Sequence, residues 1–582
     1  MPAEIVKQHY IALAKLLKSY RTAPLDRNLL KASHHFCKGL YEGAKAHPDL
    51  IFAQTQLYKP QLPFVVNLAL NSAVLTCLLS VRNKFDPSVT IQLMCGSLSI
   101  YALEQSSVEK HYQSDEKNEK SETTEIGLKN DEFAQLLKTN QQHVWLSSYL
   151  LCCKIHLTHY PRDSLTTPIK ALTYMANKFA LLCTPHKQTK PISFANAIKH
   201  LSVKCCQKWY PLLMPLLEYP SLSPSGSYVR LRDGSLHIVL SLSIEGLVTK
   251  PLPTKQSTGG QSDKADIQLI PAGQVIQGFP CQPLNNFTRL SQWWDTDLIA
   301  PFFSSDNKQI MAFDSILPMQ TAPAALLVIQ DQLNHINANM AVIVKAIEKE
   351  PAYAQQLQVS ASISNRQKKT VQNIQHGVAM LGFERTNSIL LQHSLLSRLN
   401  QHYFPLQQAL LTFSHFFVFI VAEMAAKTKL VSPESASSTA YFVLSRLFTL
   451  PTTRTLNDWE TSALPSFKVA SLVKVKETEN LKNNAYLLAN AWQQNKQILE
   501  VLQHYDIVME KKINPRSSRQ FCYLIGLSLI LAQEHYFSGR TRCKETTLYF
   551  KAGSSELGLS QTELRDMMTD IISSKNIFCQ LE

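Results

Sequence analysis

Glycine is scarce in this chain: 17 residues of 582, against 28 prolines. So little glycine argues against backbone loops that cradle phosphate and against a large β-barrel. No G-x-x-x-x-G-K-[ST], G-x-G-x-x-G or G-x-S-x-G string occurs. P-loop nucleotide chemistry and acyl transfer from a nucleophile elbow therefore lack support. The 12 cysteines include no C-x-x-C pair. Most, as at Cys37, Cys77, Cys95 and Cys522, lie beside hydrophobic residues, the pattern of buried reduced thiols in a cytosolic protein. None of the 18 histidines is followed by aspartate. The most hydrophobic window, Phe413 to Ala426, contains His415 and Glu423 and falls short of the roughly 20 residues that span a bilayer, so it reads as a buried core helix. Met1 to Tyr20 lacks a signal-peptide layout and reads as an amphipathic helix with Ile5, Ile11, Leu13, Leu16 and Leu17 as its apolar residues. A cytoplasmic protein with no membrane span is expected.

A chain of this length makes roughly two to four domains. Its 45% hydrophobic and 18% charged residues are ordinary for a globular protein. The formal charge of +14 is compatible with nucleic acid or an acidic partner. It fits a lysine-rich solvated surface better, since net charge defines no site.

Apolar spacing is helical from Met1 to Glu104. Gln105 to Asp131 is charged and polar, with Glu116-Lys117 and Glu119-Lys120, and reads as a mobile insertion. Helical spacing resumes at Phe133 and continues to about Leu217. Two β-prone runs, Tyr228 to Leu231 and Leu236 to Leu240, then flank Asp233-Gly234, a hairpin signal. Pro251 to Ala265 reads as a flexible linker, and Asp266 to Phe279 as a second β-rich piece. The paired indoles of Trp293 and Trp294 read as packing. Near the end, Ser560 and Glu563 form a capping box ahead of Leu564, Met567, Met568, Ile571 and Ile572. The expected fold is mainly α. Its expected domains are a helical one over 1–250 ending in the hairpin, a linker with short β segments over 251–312, a second helical domain over 313–515, and a helical extension over 516–582.

The stretch from Leu317 to Leu399 carries a definite order of signals. Leu317-Pro318 and Pro323 precede a helix with Met340, Ile343, Val344 and Ile347 on one face, which breaks at Glu350-Pro351. A second helix carries Ala354, Leu357 and Ala361. After Ser362-Ile363-Ser364-Asn365, a third carries Val371, Ile374, Val378 and Leu381 and stops at Gly382, suited to a left-handed cap. This order, and above all Ile374-Gln375-His376-Gly377-Val378-Ala379-Met380-Leu381-Gly382, resembles the HDOD domain. That bacterial signalling module is related to the HD phosphohydrolases but generally lacks their metal ligands. Where the family usually has Asp-Pro, this chain has Glu350-Pro351.

The first half is similar, more weakly, to HD-GYP domains, which are cyclic di-GMP phosphodiesterases. The likeness lies in Tyr219-Pro220, Ser225 to Leu231, Asp233-Gly234 and Ile238-Val239. Met175-Ala176-Asn177-Lys178-Phe179 is similar to the helix carrying that family's last metal-binding Asp, but holds Asn177 at the aligned position. His156-Leu157-Thr158-His159-Tyr160-Pro161 stands where the family has Asp-Gly-x-Gly-Tyr-Pro. The helix that should carry His-Asp reads Leu93-Met94-Cys95-Gly96-Ser97-Leu98-Ser99 and has neither. Adjacent His and Asp ligate the metals that activate water in such a site, so the resemblance implies an HD-derived scaffold without the reaction.

Four other constellations stand out. Cys152, Cys153, His156 and His159 could converge on a helix and would suit zinc, but Leu150 to Ile155 is an apolar stretch in which cysteine is ordinary core filling. His34-His35 reads as a surface or capping pair. Lys511, Lys512, Arg516, Arg519, Arg540, Arg542 and Lys544, with Tyr536 and Phe537 among them, could meet a nucleic-acid backbone or a cyclic nucleotide. With no recognised nucleic-acid motif beside them, they read first as a solvated loop between helices. Asp295 and Asp297 read as a loop or helix start. The chain is thus expected to be a non-catalytic bacterial regulatory protein in signal transduction, with no cofactor and no bound metal, acting on other signalling proteins. The alternatives are a divergent metal-dependent phosphohydrolase acting on cyclic di-GMP and a nucleic-acid-binding regulator.

Overall fold

The computed structural model describes residues 2–113, 125–157, 165–187, 189–204, 207–252, 267–294, 299–302, 313, 319, 321–335, 338–365, 369–474, 481–507, 516–537 and 540–574. The chain is mainly α-helical and divides into two compact units, Met1–Ser315 and Ile316–Glu582.

Unit 1 begins with α1 (Pro2–Thr22), α2 (Arg27–Ala46) and the short α3 (Pro48–Phe52). In α1, Leu13, Leu16 and Leu17 are buried as the spacing predicts, whereas Ile11 is exposed. A short strand β1 (Leu57–Tyr58) leads to α4 (Phe64–Arg82) and α5 (Pro87–Leu103). In α4 every residue from Phe64 to Ser80 is buried, as a helix with no polar face must be. Asp86 caps α5 by accepting from the Ser88 N–H at 2.8 Å, with Pro87 in the first turn. Then come α6 (Gln105–Gln113), α7 (Glu125–Thr139), α8 (His143–Leu157), α9 (Pro168–Cys183), α10 (Phe194–Lys204), α11 (Met214–Leu217) and α12 (Thr288–Trp293). The core is the bundle α4, α5, α8 and α9, in which α4 packs on α5 and α9, and α8 on α5 and α9.

The expected insertion over 105–131 is corrected at its start. Residues 105–113 form helix α6, with Val108 and Tyr112 buried, and Glu109 on it accepts the N–H groups of Phe64 and Val65 at 3.1 and 2.9 Å. Two apolar side chains one turn apart were enough to dock an otherwise polar helix. Residues 114–124 lie outside the described residues.

The hairpin forms as expected. β2 (Tyr228–Leu231) and β3 (Leu236–Ser243) pair antiparallel, Tyr228 opposite Ile238, around Gly234 at φ +85°. β4 (Gly246–Pro251), β5 (Gln268–Ile270) and β6 (Val275–Gly278) extend it to a sheet of order β5-β4-β3-β2-β6. β7 (Gln282–Pro283) pairs in parallel with β1. The expected linker over 251–312 is therefore corrected: β5 and β6 are the two edges of the hairpin's own sheet, and β7 returns to the helices. What lies between Leu252 and Ile267 is outside the described residues. Only Pro271 to Gln274 join the two edge strands, a reach of about 18 Å at most. Four strand spacings on a flat sheet come to about 19 Å, so the sheet curls. The buried Asp49 on α3 holds it to the helices by accepting from Ser225 Oγ at 2.5 Å and Ser241 Oγ at 2.6 Å. Gly226 (φ +87°) lies so close to α3's end that a Cβ there would be 2.6 Å from the Ala53 oxygen. Trp294 Nε1 donates to the Leu240 oxygen at 2.7 Å, at the irregularity between Val239 and Ser241. The indole takes up a carbonyl that the bulged ladder leaves over.

Unit 2 contains α13 (Ala324–Asn334), α14 (Met340–Glu348), α15 (Pro351–Ser364), α16 (Ile374–Leu381), α17 (Phe383–Leu399), α18 (Gln407–Thr428), α19 (Pro433–Thr449), α20 (Pro451–Arg454), α21 (Leu481–Ala491), α22 (Lys496–His504), α23 (Arg516–Tyr536), α24 (Lys544–Leu557) and α25 (Gln561–Ser574). The spacing predicts α14, α15 and α16, and their inward faces are those named from the sequence: Ile343 and Ile347, Leu357 and Ala361, Ile374, Val378 and Leu381 are buried. Gly382 has the expected positive φ, +80°, but at ψ 165°. It is an extended break and not an αL cap, because α17 starts at the next residue. α18 packs among α19 and α23. The expectation that the most apolar window lies in Phe413 to Ala426 and is too short to span a bilayer is corrected: α4 is the more apolar helix, at mean hydropathy 2.0 against 1.8 for α18. Both are long and apolar enough to cross a membrane, but both are largely buried within their own units, as core helices are. The residues from 516 on are no appended extension: Tyr536 OH donates to the Ala409 oxygen at 3.0 Å and Ser528 Oγ to Met424 Sδ at 3.0 Å, so α23 is part of the core of unit 2.

Candidate functional site

The two stretches compared with a hydrolase site, Leu93 to Ser99 on α5 and Asn177 on α9, meet in the middle of the unit 1 bundle. Asn177 is fully buried. Its Nδ2 donates to Ser97 Oγ at 3.1 Å and to the Thr173 carbonyl at 2.9 Å, and its Oδ1 accepts from Tyr101 OH at 3.1 Å. Ser97 Oγ also lies 2.9 Å from Thr76 Oγ1 of α4. From α8, Ser148 Oγ accepts from Thr173 Oγ1 at 3.2 Å and donates to the Leu93 carbonyl at 3.3 Å. Trp145 Nε1 donates to Ser99 Oγ at 2.8 Å.

Each helix contributes polar groups one turn apart on its inward face: Ser72 and Thr76, Ser97 and Tyr101, Ser148 and Cys152, Thr173 and Asn177. An i, i+4 spacing puts both groups of each pair on one side. The helices fit tightly here. A Cβ on Gly96 would lie 2.4 Å from Ser148 Cβ and 3.0 Å from the Trp145 carbonyl oxygen.

Every group in this network is neutral. Burial drives the Tyr101 phenol and the Cys152 thiol well above their ordinary values. Hard divalent cations need carboxylate or carbonyl oxygens with charge to spare. Among these side chains there is no carboxylate and no imidazole, and the hydroxyl and amide groups are turned on one another. What the arrangement does chemically is register the four helices: a satisfied polar network in a low-dielectric core penalises any other alignment.

The other sequence candidates are dispersed. Cys152 and Cys153 are buried, and burial pushes the Cys153 thiol up to about 12, so both stay protonated and are poor soft ligands. The His156 side chain and the whole of His159 lie outside the described residues. No group of three or more His, Cys, Asp or Glu side chains fit to hold a metal occurs among the described residues. His34 and His35 are exposed on α2.

The C-terminal basic cluster is largely occupied by its own fold. Arg519 pairs with Glu556 at 2.8 Å. Arg542 pairs with Glu534 and stacks on Phe550, its guanidinium carbon 3.7 Å from the ring centroid. Arg540 donates to the carbonyls of Ser471 and Ser462, both at 3.3 Å. Tyr536 and Phe537 are buried, so their rings are not open to stack on bases. Lys511, Lys512, Asp295 and Asp297 lie outside the described residues.

No protein-family model matches the chain, and no curated protein matches it. Solved structures similar to it include an HDOD domain protein of unknown function from Geobacter sulfurreducens, at 13% identity and TM-score 0.31, covering 45% of this chain and 90% of that one. Another is the MmoQ response regulator from Methylococcus capsulatus, at 13% identity and TM-score 0.21, covering 43% of this chain and 97% of that one. A fragment of the same regulator gives 14%, 0.22, 42% and 94%. Likenesses at this level fix neither a fold nor an activity.

Proposed function

We propose that the chain is a non-catalytic regulatory protein of bacterial signal transduction, built from an HDOD-like unit and a degenerate HD-like unit, and acting through contacts with other signalling proteins in the cytoplasm. One observation carries the reading. At the place where a metal-dependent hydrolase of this ancestry needs adjacent ligands, Asn177 and Ser97 hydrogen-bond to each other inside a neutral, closely packed network. A binuclear site loses the charge that holds its second cation once its carboxylates are gone. The order of signals from Leu317 to Leu399 supports the HDOD-like half, and nine free cysteines among the described residues suit a reducing compartment.

The test combines metal analysis of the purified full-length chain with a cyclic di-GMP hydrolysis assay in added manganese or magnesium, and affinity capture from the native host. The expected result is no stoichiometric metal, no turnover and recovery of signalling proteins. A bound metal pair with turnover would reverse the reading. Recovery of nucleic acid in place of protein would replace it with a nucleic-acid-binding role.

A further inference from the structure

Lys59 follows β1 and is only 1% exposed. Its Nζ donates to Gln54 Oε1 at 3.3 Å and lies 5.1 Å from the ring centroids of both Tyr10 and Phe287. The two rings meet edge to face at 5.7 Å. Its backbone is pinned by Asn67 of α4, whose Oδ1 accepts from the Lys59 N–H at 2.8 Å and whose Nδ2 donates to its carbonyl at 3.0 Å. The cage thus joins three separated stretches: α1 through Tyr10, the turn Ala53–Gln56 through Gln54, and the residue before α12 through Phe287.

An ammonium has three donors. Here it finds an amide oxygen and two ring faces, with Cys281 the ionisable group that acts on it. Burial keeps its ionisable neighbours uncharged at neutral pH: it raises the Tyr10 phenol far above its ordinary value and the Cys281 thiol to about 12. The turn contributes only neutral Gln54, Thr55 and Gln56, and α4 the neutral Asn67. His9, next along α1, is turned to Phe36 and Gly43 of α2. Arg289 of α12 acts on Tyr228.

We propose that Lys59 is a proton-operated clasp of unit 1: as the neutral amine it lets α1 and the 281–287 segment close over it, and as the ammonium it loosens them. The device is independent of the signalling reading. Burial lowers the lysine from its ordinary 10.5 to about 7. The sign follows by linkage. Between about 7 and 10.5 an opened or unfolded lysine holds a proton that the closed cage does not, so closure strengthens as pH rises through that range and is weakest below 7. Above about 8.5, thiols freed by unfolding begin to ionise and oppose it, which leaves pH 7 to 8.5 as the clear window.

Hydrogen exchange of the full-length chain at pH 6 to 8.5, corrected for intrinsic rates, tests this in peptides covering α1 and residues 281–294. Protection should rise several-fold from pH 7 to 8.5 in the native chain and stay level in Lys59→Met. A level native profile, or the same rise in Lys59→Met, overturns the proposal. Should Lys59→Met not fold, carbon-13 spectra of lysine-labelled native protein serve instead. One lysine side chain should titrate near neutrality, and titration of every lysine near 10 overturns it.

Discussion

Tyr101 of α5 donates its hydroxyl hydrogen to Asn177 Oδ1 of α9 at 3.1 Å, joining two helices in the middle of the unit 1 bundle. Asn177 is an uncharged donor and acceptor, and it uses both functions. This makes the network a matter of stability first.

Replacing Asn177 by Leu should take away the acceptor of the Tyr101 hydroxyl and the amide donor to Ser97, and cost about 1–3 kcal/mol. Asn177→Asp should cost more, because it places a carboxylate in a neutral core. Such a buried acid has its folded pKa raised, so the variant's stability should be best at low pH and fall as pH rises through and beyond 4. Urea denaturation at several pH values reads both effects. An Asn177→Asp protein as stable at pH 7 as the parent would mean that the site can accept charge.

Gly96 and Gly39 offer opposite outcomes for one substitution. Alanine at Gly96 meets Ser148 Cβ and the Trp145 carbonyl, and overpacking there should cost about 1–3 kcal/mol. Gly39, in α2, has nothing within 4 Å of its Cβ position. Alanine there should stabilise by about 0.5–1 kcal/mol through helix propensity. Thermal melts of the two variants decide it.

Arg519 and Glu556 form a partly buried ion pair at 2.8 Å. A double-mutant cycle with Arg519→Ala and Glu556→Ala should return a coupling of about 0.5–1 kcal/mol, shrinking at high salt. No coupling would free Arg519 for an external anion and revive the basic cluster as a binding surface.

The chain should lose stability in alkali. Burial raises the thiols of Cys77, Cys95, Cys152 and Cys183 above the ordinary value of 9.0. Groups with raised folded pKa values contribute stability that is whole below the unfolded pKa and lost as pH rises toward the folded one. Denaturation midpoints should therefore decline from about pH 8.5 upward, and Cys77→Ala or Cys183→Ala should flatten part of the decline while lowering stability at pH 7 by a cavity cost.

Much of the local structure was legible from the residues alone. Helices α14, α15 and α16 present the faces predicted. The Ser560–Glu563 capping box forms with Ser560 N to Glu563 Oε2 at 2.8 Å and Glu563 N to Ser560 Oγ at 3.2 Å. The Asp233-Gly234 hairpin has its strands where β-prone runs flank a turn. These features depend on neighbours within a few residues, and the sequence lists those neighbours in order. The i, i+4 polar pairs of α4, α5, α8 and α9 were also written there, each inside an apolar helix. Each reads alone as a tolerated polar group, and only the packing of the four helices makes them a shared network.

What depends on distant partners was decided by packing. The sequence by itself determined a helical chain with a hairpin and without the adjacent His-Asp of an HD site. Tertiary structure alone decided that β5 and β6 flank that hairpin, that α6 docks through Val108 and Tyr112, and that Arg519 faces Glu556 of its own unit. It also brought Asn177 to Ser97 and closed Tyr10 and Phe287 over Lys59. Each of those contacts joins residues tens to hundreds of positions apart, and only burial in a common core chooses which polar group meets which.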